Sequence, residues 1–497
     1  MSFAHGPTNH ALRAVSRCQL GGPSRWLVNL SGSESTRGTR DLSSFSYLPC
    51  SPARTIKATL GTSHRKAMPS AIRSPSPVRY YSVQTKHLNV HVSQTRSAST
   101  SNHPPSSHPS YEALVVGAGP AGITAVGNLL EQQIQPILWV DGAFNGGRIN
   151  RAYREVPSNT KVKLFVDFAE ATAPFRDIVG GKSQPEVLKA IRELDQEKGC
   201  DLGRAGDICS MLTEGLVRTP GVVAEKGNVR EAILNSGEGG WSVAIAAGKS
   251  QPATTVQTKR VILCTGSHPS EPTLPVDLPV QHIELDDALS PTKLSALLAP
   301  LGPTTIGVVG ASHSAVLVLM NLTRLALSSK PDLHVKWFTR HPLRYAEYEA
   351  DFIARDNTGL KGEAAAWARE NLEPETMPNS PVKNVITKVA YEKGAEKETY
   401  EREMKDCSHV VQAVGYTRNP LPTLKDGKTG REIQVVFDHD RGVFKFAGGK
   451  EVVPGLGGAG IAFPERVVDR KYGHEEFNVG FFKFMKAVRR WVVEEWK

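Results

Sequence analysis

The sequence predicts an α/β protein with two units in which a short apolar strand runs through a glycine-rich turn into a helix. The first unit starts at Tyr111 and has the spacing G-x-G-x-x-G from Gly117 to Gly122. The second starts at Thr304 and has a related turn at Gly310. In the Rossmann pattern, such a turn and the helix N-terminus after it bind the pyrophosphate of a dinucleotide. We therefore expect two Rossmann-type dinucleotide-binding domains.

The first turn has the residue types that a dinucleotide site requires. Gly117 permits the tight turn, Gly119 lets the backbone approach the pyrophosphate, and Gly122 lets the helix lie close to the sheet. A second apolar strand ends at Asp141, nineteen residues after Gly122, where an acid binds the ribose hydroxyls. The predicted binding residues of this unit are Gly117, Gly119, Pro120, Ala121, Gly122 and Asp141.

The second turn departs from the first at two positions. Ser312 replaces the middle glycine, and its Cβ narrows the approach to the pyrophosphate. The second strand ends in Thr339-Arg340 instead of an acid, so it offers a cation for a 2′-phosphate, and NADPH is favoured over NADH. The alternative is that Arg340 belongs only to a solvated basic turn. The predicted binding residues are Gly310, Ser312, Ser314, Ala315 and Arg340.

Four motifs in a fixed order between about residues 112 and 420 resemble the flavin-containing monooxygenase family. They are the first glycine turn with the stretch Tyr153 to Phe168 after it, a Cys-Thr-Gly stretch at Cys264, the second glycine turn, and Val414-Gly415-Tyr416. The related siderophore-type N-hydroxylases share this layout. The resemblance implies FAD in the first unit. It adds as cofactor-binding candidates Gly147, Arg148, Thr265, Gly266, Gly415 and Tyr416.

The resemblance also places two segments beside the flavin. Asn159 matches an asparagine that helps to hold the oxygenated flavin, and an amide both donates and accepts hydrogen bonds without titrating. Its alternative role is to close a turn. The glycine-rich stretch from Pro454 to Ile461 is expected to form a flexible loop along the flavin, where Gly457 and Gly458 allow close backbone approach. A simple linker is the alternative.

The chain differs from the family in two places. The family signature Phe-x-Gly-x3-His is incomplete, with only His282 at a comparable position. Residues 345–375 form an insert without a clear counterpart. Both differences bear on oxygen transfer more than on flavin binding.

The resemblance implies a reaction that uses FAD, NADPH and O2. NADPH reduces FAD, O2 adds to the reduced flavin at C4a, and one oxygen atom passes to a small-molecule substrate through a soft nitrogen or sulfur nucleophile. One alternative is an NAD(P)H oxidase or quinone-type reductase, and another is a non-catalytic flavoprotein that senses NADPH. The fold alone does not separate these functions.

The positive charge of the chain is confined to its first part. Residues 1–110 hold thirteen Lys and Arg but only Glu34 and Asp41 as acids, a net of +11 against +10 for the whole chain. Because the remainder is close to neutral, we expect no nucleic-acid partner. The leader is typical of a mitochondrial transit peptide, and Arg79-Tyr80-Tyr81-Ser82 resembles a processing site. Alternatives are a merely disordered tail and a translation start at Met68.

These observations divide the chain into a predicted transit peptide (1–81), a linker (82–110), an FAD-binding domain in two parts (111–275 and 405–497) and an inserted NAD(P)H-binding domain (276–404). No run of 18 apolar residues occurs, so no transmembrane helix is expected, and the segment 477–496 is predicted to be a helix capping the core. The six cysteines lack C-x-x-C spacing, so we predict neither a redox dithiol nor a metal site.

Overall fold

The structure is a computed structural model that describes residues 110–181, 186–237, 239–248 and 252–497. The predicted transit peptide and linker lie outside these residues, except for Ser110, which belongs to the first strand. The described residues alternate between helices and mostly parallel strands, which confirms the predicted α/β class.

The strands and helices below are numbered in chain order. The strands are β1 Ser110–Tyr111, β2 Ala113–Val116, β3 Ile137–Asp141, β4 Val222–Lys226, β5 Asn228–Leu234, β6 Trp241–Ala246, β7 Thr254–Thr258, β8 Val261–Leu263, β9 Ser267–Pro269, β10 Gln281–His282, β11 Thr304–Val309, β12 Leu333–Thr339, β13 Glu347–Tyr348, β14 Ile353–Ala354, β15 Ile386–Ala390, β16 His409–Gln412, β17 Tyr416–Arg418, β18 Thr423–Asp426, β19 Val435–Asp438, β20 Val443–Phe446, β21 Val452–Gly458, β22 Glu465–Val468 and β23 Glu475–Asn478. The helices are α1 Pro120–Glu131, α2 Arg148–Ala152, α3 Val162–Ala169, α4 Ala173–Val179, α5 Glu186–Arg192, α6 Leu202–Val217, α7 Leu285–Ala288, α8 Pro291–Leu298, α9 His313–Ala326, α10 Gly362–Asn371, α11 Glu396–Glu403 and α12 Phe481–Glu494, with short 3-10 turns at Met377–Asn379 and Pro381–Asn384.

The first glycine turn lies at the carboxyl end of β2, inside a seven-stranded sheet of order β19-β20-β21-β8-β2-β3-β4. The apolar residues of β2 and β3 are buried because helices cover the sheet, as expected for parallel strands. Residues from both predicted parts of the FAD domain build this sheet, since β21 pairs in parallel with β8.

The second glycine turn follows β11, in a parallel sheet of order β10-β16-β11-β12-β15. Its last strand in the chain, β16, pairs with β11 and reaches Gln412. The predicted domain boundary at 405 is therefore too early. The reason is that β16 is fully buried and can satisfy its backbone groups only inside this sheet.

Two short crossings connect the two nucleotide units. Strand β9 leaves the first unit, β17 returns to it, and the two strands pair antiparallel with Arg418 opposite Ser267. A third sheet, of order β1-β7-β6-β5-β18, flanks the first unit. The glycine motifs carry no signal for that sheet, and it was not predicted.

The C-terminal helix α12 packs on the core, which confirms the predicted capping role. Its buried face includes Phe484, Val488 and Trp491, and the Phe481 ring lies 5.5 Å from that of Phe165. The helix starts at Phe481, after Gly480, and not at Phe477, which lies in β23. Of the helices in the described ranges, none has the length and apolar character needed to cross a membrane.

The insert 345–375 contains the β13–β14 hairpin and α10, and it is anchored to the hairpin β22–β23. Asn357 N–H donates to Glu476 at 3.0 Å, the Thr358 hydroxyl donates to the same carboxylate, and Arg355 N–H donates to Asp469. Asp469, His474 and Glu476 are grouped closely enough to suggest metal ligands. Both carboxylates accept hydrogen bonds from the insert, so these residues anchor it to the β22–β23 hairpin.

Candidate functional site

The first glycine turn has the shape that the spacing predicted. Gly117 has φ +104°, and a Cβ there would lie 2.4 Å from the Cys264 carbonyl oxygen. A Cβ at Gly122 would lie 1.8 Å from the Gly117 carbonyl oxygen. These two glycines are required by the protein itself. Gly119 is different, because a Cβ there would meet only Gly147 Cα at 3.8 Å, so the space beside it is open to a ligand.

Helix α1 presents an N-terminus suited to an anion. Pro120 is its first residue, followed by buried Ala121, and no side chain caps it. The positive end of the helix dipole and the unbonded N–H groups of the first turn therefore face the open space beside Gly119. This is the arrangement that binds a pyrophosphate without using a charged side chain.

Asp141 ends β3 and holds the turn in place. Its Oδ2 accepts a hydrogen bond from Ala118 N–H at 2.8 Å, and its Oδ1 accepts from Ala143 and Phe144 N–H at 2.7 and 2.8 Å. The carboxylate is only half-buried and retains a free lone pair. Binding of ribose hydroxyls by Asp141 stays a prediction.

Arg148 connects the first nucleotide unit to the second. It follows Gly147, its Nε donates to the Tyr153 hydroxyl at 2.9 Å, and its guanidinium forms an ion pair with Asp286 of α7. The Tyr153 hydroxyl donates to the same carboxylate at 3.0 Å and lies 3.3 Å from the Tyr416 hydroxyl. We call Arg148, Tyr153, Asp286 and Tyr416 the interunit cluster.

The interunit cluster brings together residues that the sequence predicted separately. Tyr416 also hydrogen-bonds Ser314, in the first turn of α9. Burial, followed by the neighbouring Tyr416, raises the pKa of Tyr153, and burial raises that of Tyr416, so both phenols stay protonated at neutral pH. No sequence pattern indicated Asp286, whose carboxylate joins the units.

Thr265 and Gly266 lie where the chain leaves the first sheet. Gly266 has φ +72° and its carbonyl accepts from Asn419 N–H at 3.0 Å, while the Thr265 carbonyl accepts from Asn419 Nδ2 at 2.7 Å. Within the described part of the chain, the buried Thr265 hydroxyl has no hydrogen-bond partner. Gly415, at the return crossing, has φ +113° and open space around it.

The prediction of a flexible loop at Gly457 and Gly458 is wrong. Both residues belong to β21 and pair with β8, and a Cβ at Gly457 would lie 2.8 Å from Trp496 Nε1. These glycines therefore make room for core aromatic rings. This segment instead comes close to the start of α1 at Gly460, where a Cβ would lie 2.4 Å from Ala121 Cβ.

Asn159 is exposed, and its Oδ1 accepts a long hydrogen bond of 3.4 Å from the Thr160 hydroxyl. The insert passes beside it, since a Cβ at Gly362 would lie 3.4 Å from Asn159 Cα. The amide thus has free hydrogen-bonding capacity for a ligand. A contact with the flavin stays a prediction.

The second glycine turn repeats the geometry of the first. Gly310 has φ +132°, and a Cβ there would lie 2.4 Å from the Ala413 carbonyl oxygen. Buried Ala315 packs closely under it. Ser312 is the exposed first residue before α9, and its hydroxyl turns toward the Ala413 carbonyl at 3.4 Å. The side chain therefore leaves the helix N-terminus uncapped for a phosphate.

Sequence reasoning missed His313, the first residue of α9. Its Nδ1 is buried and lacks a hydrogen-bond partner among the described residues. Burial, with a smaller effect from Lys361, lowers the pKa of His313 to about 4, so the imidazole is neutral at physiological pH. A single histidine inside a glycine motif gives no sequence signal of its burial.

Arg340 directly follows β12, as the 2′-phosphate prediction requires, but it has a partner. Its Nη1 lies 3.1 Å from Glu396 Oε1 at the start of α11, and about a third of the Arg340 side chain is exposed. A 2′-phosphate must compete with this carboxylate for the guanidinium. NADPH preference at Arg340 stays a prediction.

We expect Arg340→Ala to raise the KM for NADPH by about 10-fold to 100-fold, because a charge-assisted hydrogen bond contributes about 1.5 to 3 kcal/mol. The KM for NADH should hardly change, since NADH has no 2′-phosphate. Steady-state kinetics with both nucleotides measure the difference.

Glu396→Gln is the companion variant for this experiment. It removes the competing carboxylate and should lower the KM for NADPH by about 5-fold at most. Equal effects of Arg340→Ala on both nucleotides would assign Arg340 to packing or to general electrostatics.

The described cysteines do not form a redox pair. Cys200, Cys209, Cys264 and Cys407 are all free thiols. Burial raises the pKa of Cys264 to about 12 and that of Cys407 to about 11. Such thiols are poor nucleophiles at neutral pH. Dithiol exchange is therefore not a reaction that these four residues support.

The chain is similar to known proteins over the region that contains both glycine turns. The sequence profile of the pyridine nucleotide-disulphide oxidoreductases matches residues 111–441. The chain is 48% identical over 380 residues to monooxygenase AgnR1 of Paecilomyces divaricatus, a match covering 76% of this chain and 96% of that protein.

Two solved structures show lower similarity. An ornithine N-hydroxylase of Kutzneria sp. 744 is 14% identical, with 78% of this chain and 98% of that chain covered and a TM-score of 0.48. A cadaverine monooxygenase of Erwinia amylovora is 15% identical, with 66% and 82% covered and a TM-score of 0.45.

The two turns fit two different nucleotides. FAD suits the first, which has an uncapped helix, open space at Gly119 and an acid at the end of β3, and NADPH suits the second. When both are bound, the nicotinamide supplies electrons and the flavin accepts them. The chain belongs to the pyridine nucleotide-disulphide oxidoreductase family, and it is an FAD-dependent, NAD(P)H-using oxidoreductase related to monooxygenases.

Proposed function

We propose that this chain is a monooxygenase that uses FAD, NADPH and O2 to oxidise a small molecule at a soft nitrogen or sulfur atom. The observation that carries the proposal is the 48% identity to a monooxygenase across 96% of that protein's length. The four described cysteines support it, because all four are free thiols and the dithiol reaction in the family's name has no pair of thiols among them.

The chain itself binds and orients the two nucleotides and shields the reacting groups from water. The bound flavin would supply the redox chemistry, taking electrons from NADPH and passing them to O2. The interunit cluster holds the Gly147 turn of the first unit against α7 of the second. Because the Tyr416 hydroxyl also bonds Ser314, the start of α9 is fixed relative to the first turn. These contacts set the distance between the two nucleotide sites.

Asn159 is the residue we propose beside the reacting part of the flavin. Its side chain is exposed and has one long hydrogen bond among the described residues, so a ligand can reach the amide. An amide donates one hydrogen bond and accepts another at any physiological pH. It would thus position an oxygen-bearing group without taking its proton.

Rapid mixing with O2 tests the proposal without knowledge of the substrate. A monooxygenase must protect its oxygen-activating state from water until the substrate arrives. After anaerobic reduction of the holoprotein by NADPH, mixing with O2 should therefore give a transient absorption spectrum that is neither reduced nor oxidised flavin. Direct return to oxidised flavin with one peroxide per NADPH, or fast quinone reduction, would indicate an oxidase or a reductase. NADPH binding without turnover would indicate a sensor.

Asn159→Ser refines this experiment. We expect the transient spectrum to decay faster and more NADPH electrons to appear as peroxide, while FAD content and the rate of flavin reduction stay close to those of the parent. Lys163→Ala is the control, since this lysine forms an exposed ion pair with Glu197. A transient equally long-lived in Asn159→Ser would remove Asn159 from the mechanism.

We also propose a mitochondrial location, which is supported by the acid-poor, basic composition of residues 1–81. A fluorescent reporter fused after these residues should accumulate in mitochondria. A cytosolic or reticular reporter would reject the transit peptide.

A further inference from the structure

Among the residues that the structure describes, the guanidinium of Arg418 has no anionic partner. Arg418 ends β17 at the return crossing, and its guanidinium carbon lies 4.4 Å from the centre of the Phe463 ring. Its Nε is buried without a hydrogen-bond partner, and no ion pair in the described ranges includes this arginine. Burial lowers the pKa of Arg418, as expected for a cation moved out of water.

The part of a cation that is removed from water is costly unless a hydrogen-bond acceptor or an anion pairs with it. Arginine stays protonated in proteins and needs acceptors when it is desolvated. The ring of Phe463 offers only a weak cation–π contact. A second polar atom in the same region is also unsatisfied, because the hydroxyl of Thr265 is buried and unpartnered in the described structure.

Both unsatisfied groups lie beside the first nucleotide turn. Thr265 directly follows Cys264, whose carbonyl is in contact with Gly117, and Arg418 pairs in register with Ser267. The segment that reaches Phe463 passes the start of α1 at Gly460. These segments therefore bring the Arg418 and Thr265 side chains to the edge of the FAD site.

The geometry of β17 indicates on which face of the strand the Arg418 side chain lies. Residues two apart in a strand share a face. Tyr416 faces the interunit cluster, where its hydroxyl meets Tyr153 and Ser314, and Arg418 lies on the same face of β17. That face therefore carries both the interunit cluster and the arginine that contacts Phe463.

We propose that Arg418, together with the Thr265 hydroxyl, forms a cationic subsite for an anionic part of the bound FAD. Two groups of FAD have this chemistry, the pyrophosphate and the reduced isoalloxazine ring. This inference rests on FAD binding and not on oxygen transfer. The subsite can therefore be refuted without refuting the monooxygenase function, and the reverse also holds.

Arg418→Met tests the subsite, because methionine keeps the contact with Phe463 but removes the charge. The apoprotein of this variant should unfold at the same temperature as the parent or higher, since a half-buried charge without an ion-pair partner in the described ranges has been removed. The rise in melting temperature on addition of FAD should become smaller. Arg418→Lys keeps the charge and should restore part of that rise.

Two further measurements distinguish the source of the anion. If Arg418 pairs with the pyrophosphate, the Kd of oxidised FAD should increase by about 10-fold to 100-fold. If it pairs with the reduced ring, oxidised FAD should bind normally and the two-electron potential should become more negative by about 30 mV for each tenfold loss in affinity for the reduced form. Either result supports the subsite.

Arg260→Met is the matched control. Arg260 is also poorly exposed, at 15%, but its Nη1 donates to the Glu112 carbonyl at 3.1 Å. Its loss should destabilise the apoprotein without changing the FAD Kd or the potential. The proposal is overturned if Arg418→Met behaves like Arg260→Met, with a less stable apoprotein and unchanged flavin properties.

Discussion

Gly119→Val is expected to yield a folded protein without flavin. The valine side chain would fill the open space beside the start of α1, where the pyrophosphate approaches the backbone. The backbone accepts a Cβ here, since Gly119 has φ −83° and a Cβ meets nothing closer than Gly147 Cα at 3.8 Å, so we expect the variant to fold. Only a modest loss of about 1 kcal/mol is expected from the poorer N-cap.

The measurement is flavin content after purification, together with circular dichroism and the Kd of added FAD. Gly302→Val is the matched control, because a Cβ at Gly302 meets no atom within 4 Å and the residue lies outside both turns. The control should retain FAD. A full complement of FAD in Gly119→Val would show that this turn does not bind the pyrophosphate.

Asp286→Ala is expected to slow flavin reduction by NADPH by about 10-fold to 100-fold, because a displacement of the reacting groups by about 1 Å has an effect of this size. The substitution removes the carboxylate that pairs with Arg148 and accepts from Tyr153. Both partners would lose their acceptor in a largely buried place, at a cost of about 2 to 3 kcal/mol in the free energy of unfolding.

Stopped-flow reduction and thermal unfolding measure the two effects. The neighbouring Asp287→Ala is the control, because Asp287 pairs with Lys293 at the surface, with side chains 37% and 54% exposed. An exposed pair contributes less than about 1 kcal/mol, so this variant should behave like the parent. Equal reduction rates in Asp286→Ala and Asp287→Ala would show that the interunit cluster does not align the nucleotides.

Local backbone chemistry was predictable from the sequence. Gly117 and Gly122 have no room for a Cβ, because atoms a few residues away or at the end of the adjacent strand lie too close. Glycine is therefore needed at two positions with a fixed spacing, which is visible in the sequence. The end of β3 at Asp141 was predictable from the same motif, which expects an acid at the end of the second strand. Motifs of this kind need no knowledge of distant segments.

What escaped prediction depends on residues far apart in the chain. Arg148 and Asp286 are separated by 138 positions, and neither has a local pattern that indicates the other. Gly457 and Gly458 were misassigned because the sequence does not distinguish a glycine that makes room for a core aromatic ring from a glycine in a loop. The boundary before β16 was misplaced because only sheet pairing shows which unit that strand completes.

The anchored insert limits how the two nucleotide units can move. If β9 and β17 were the only connection between the two nucleotide units, the units would be free to rotate about that pair of strands. The bonds from Asn357 and Thr358 to Glu476 attach the second unit to the first at another place along the chain. This third connection lies away from β9 and β17 and opposes that rotation, so we expect a swing of the whole second unit to require that these hydrogen bonds break first.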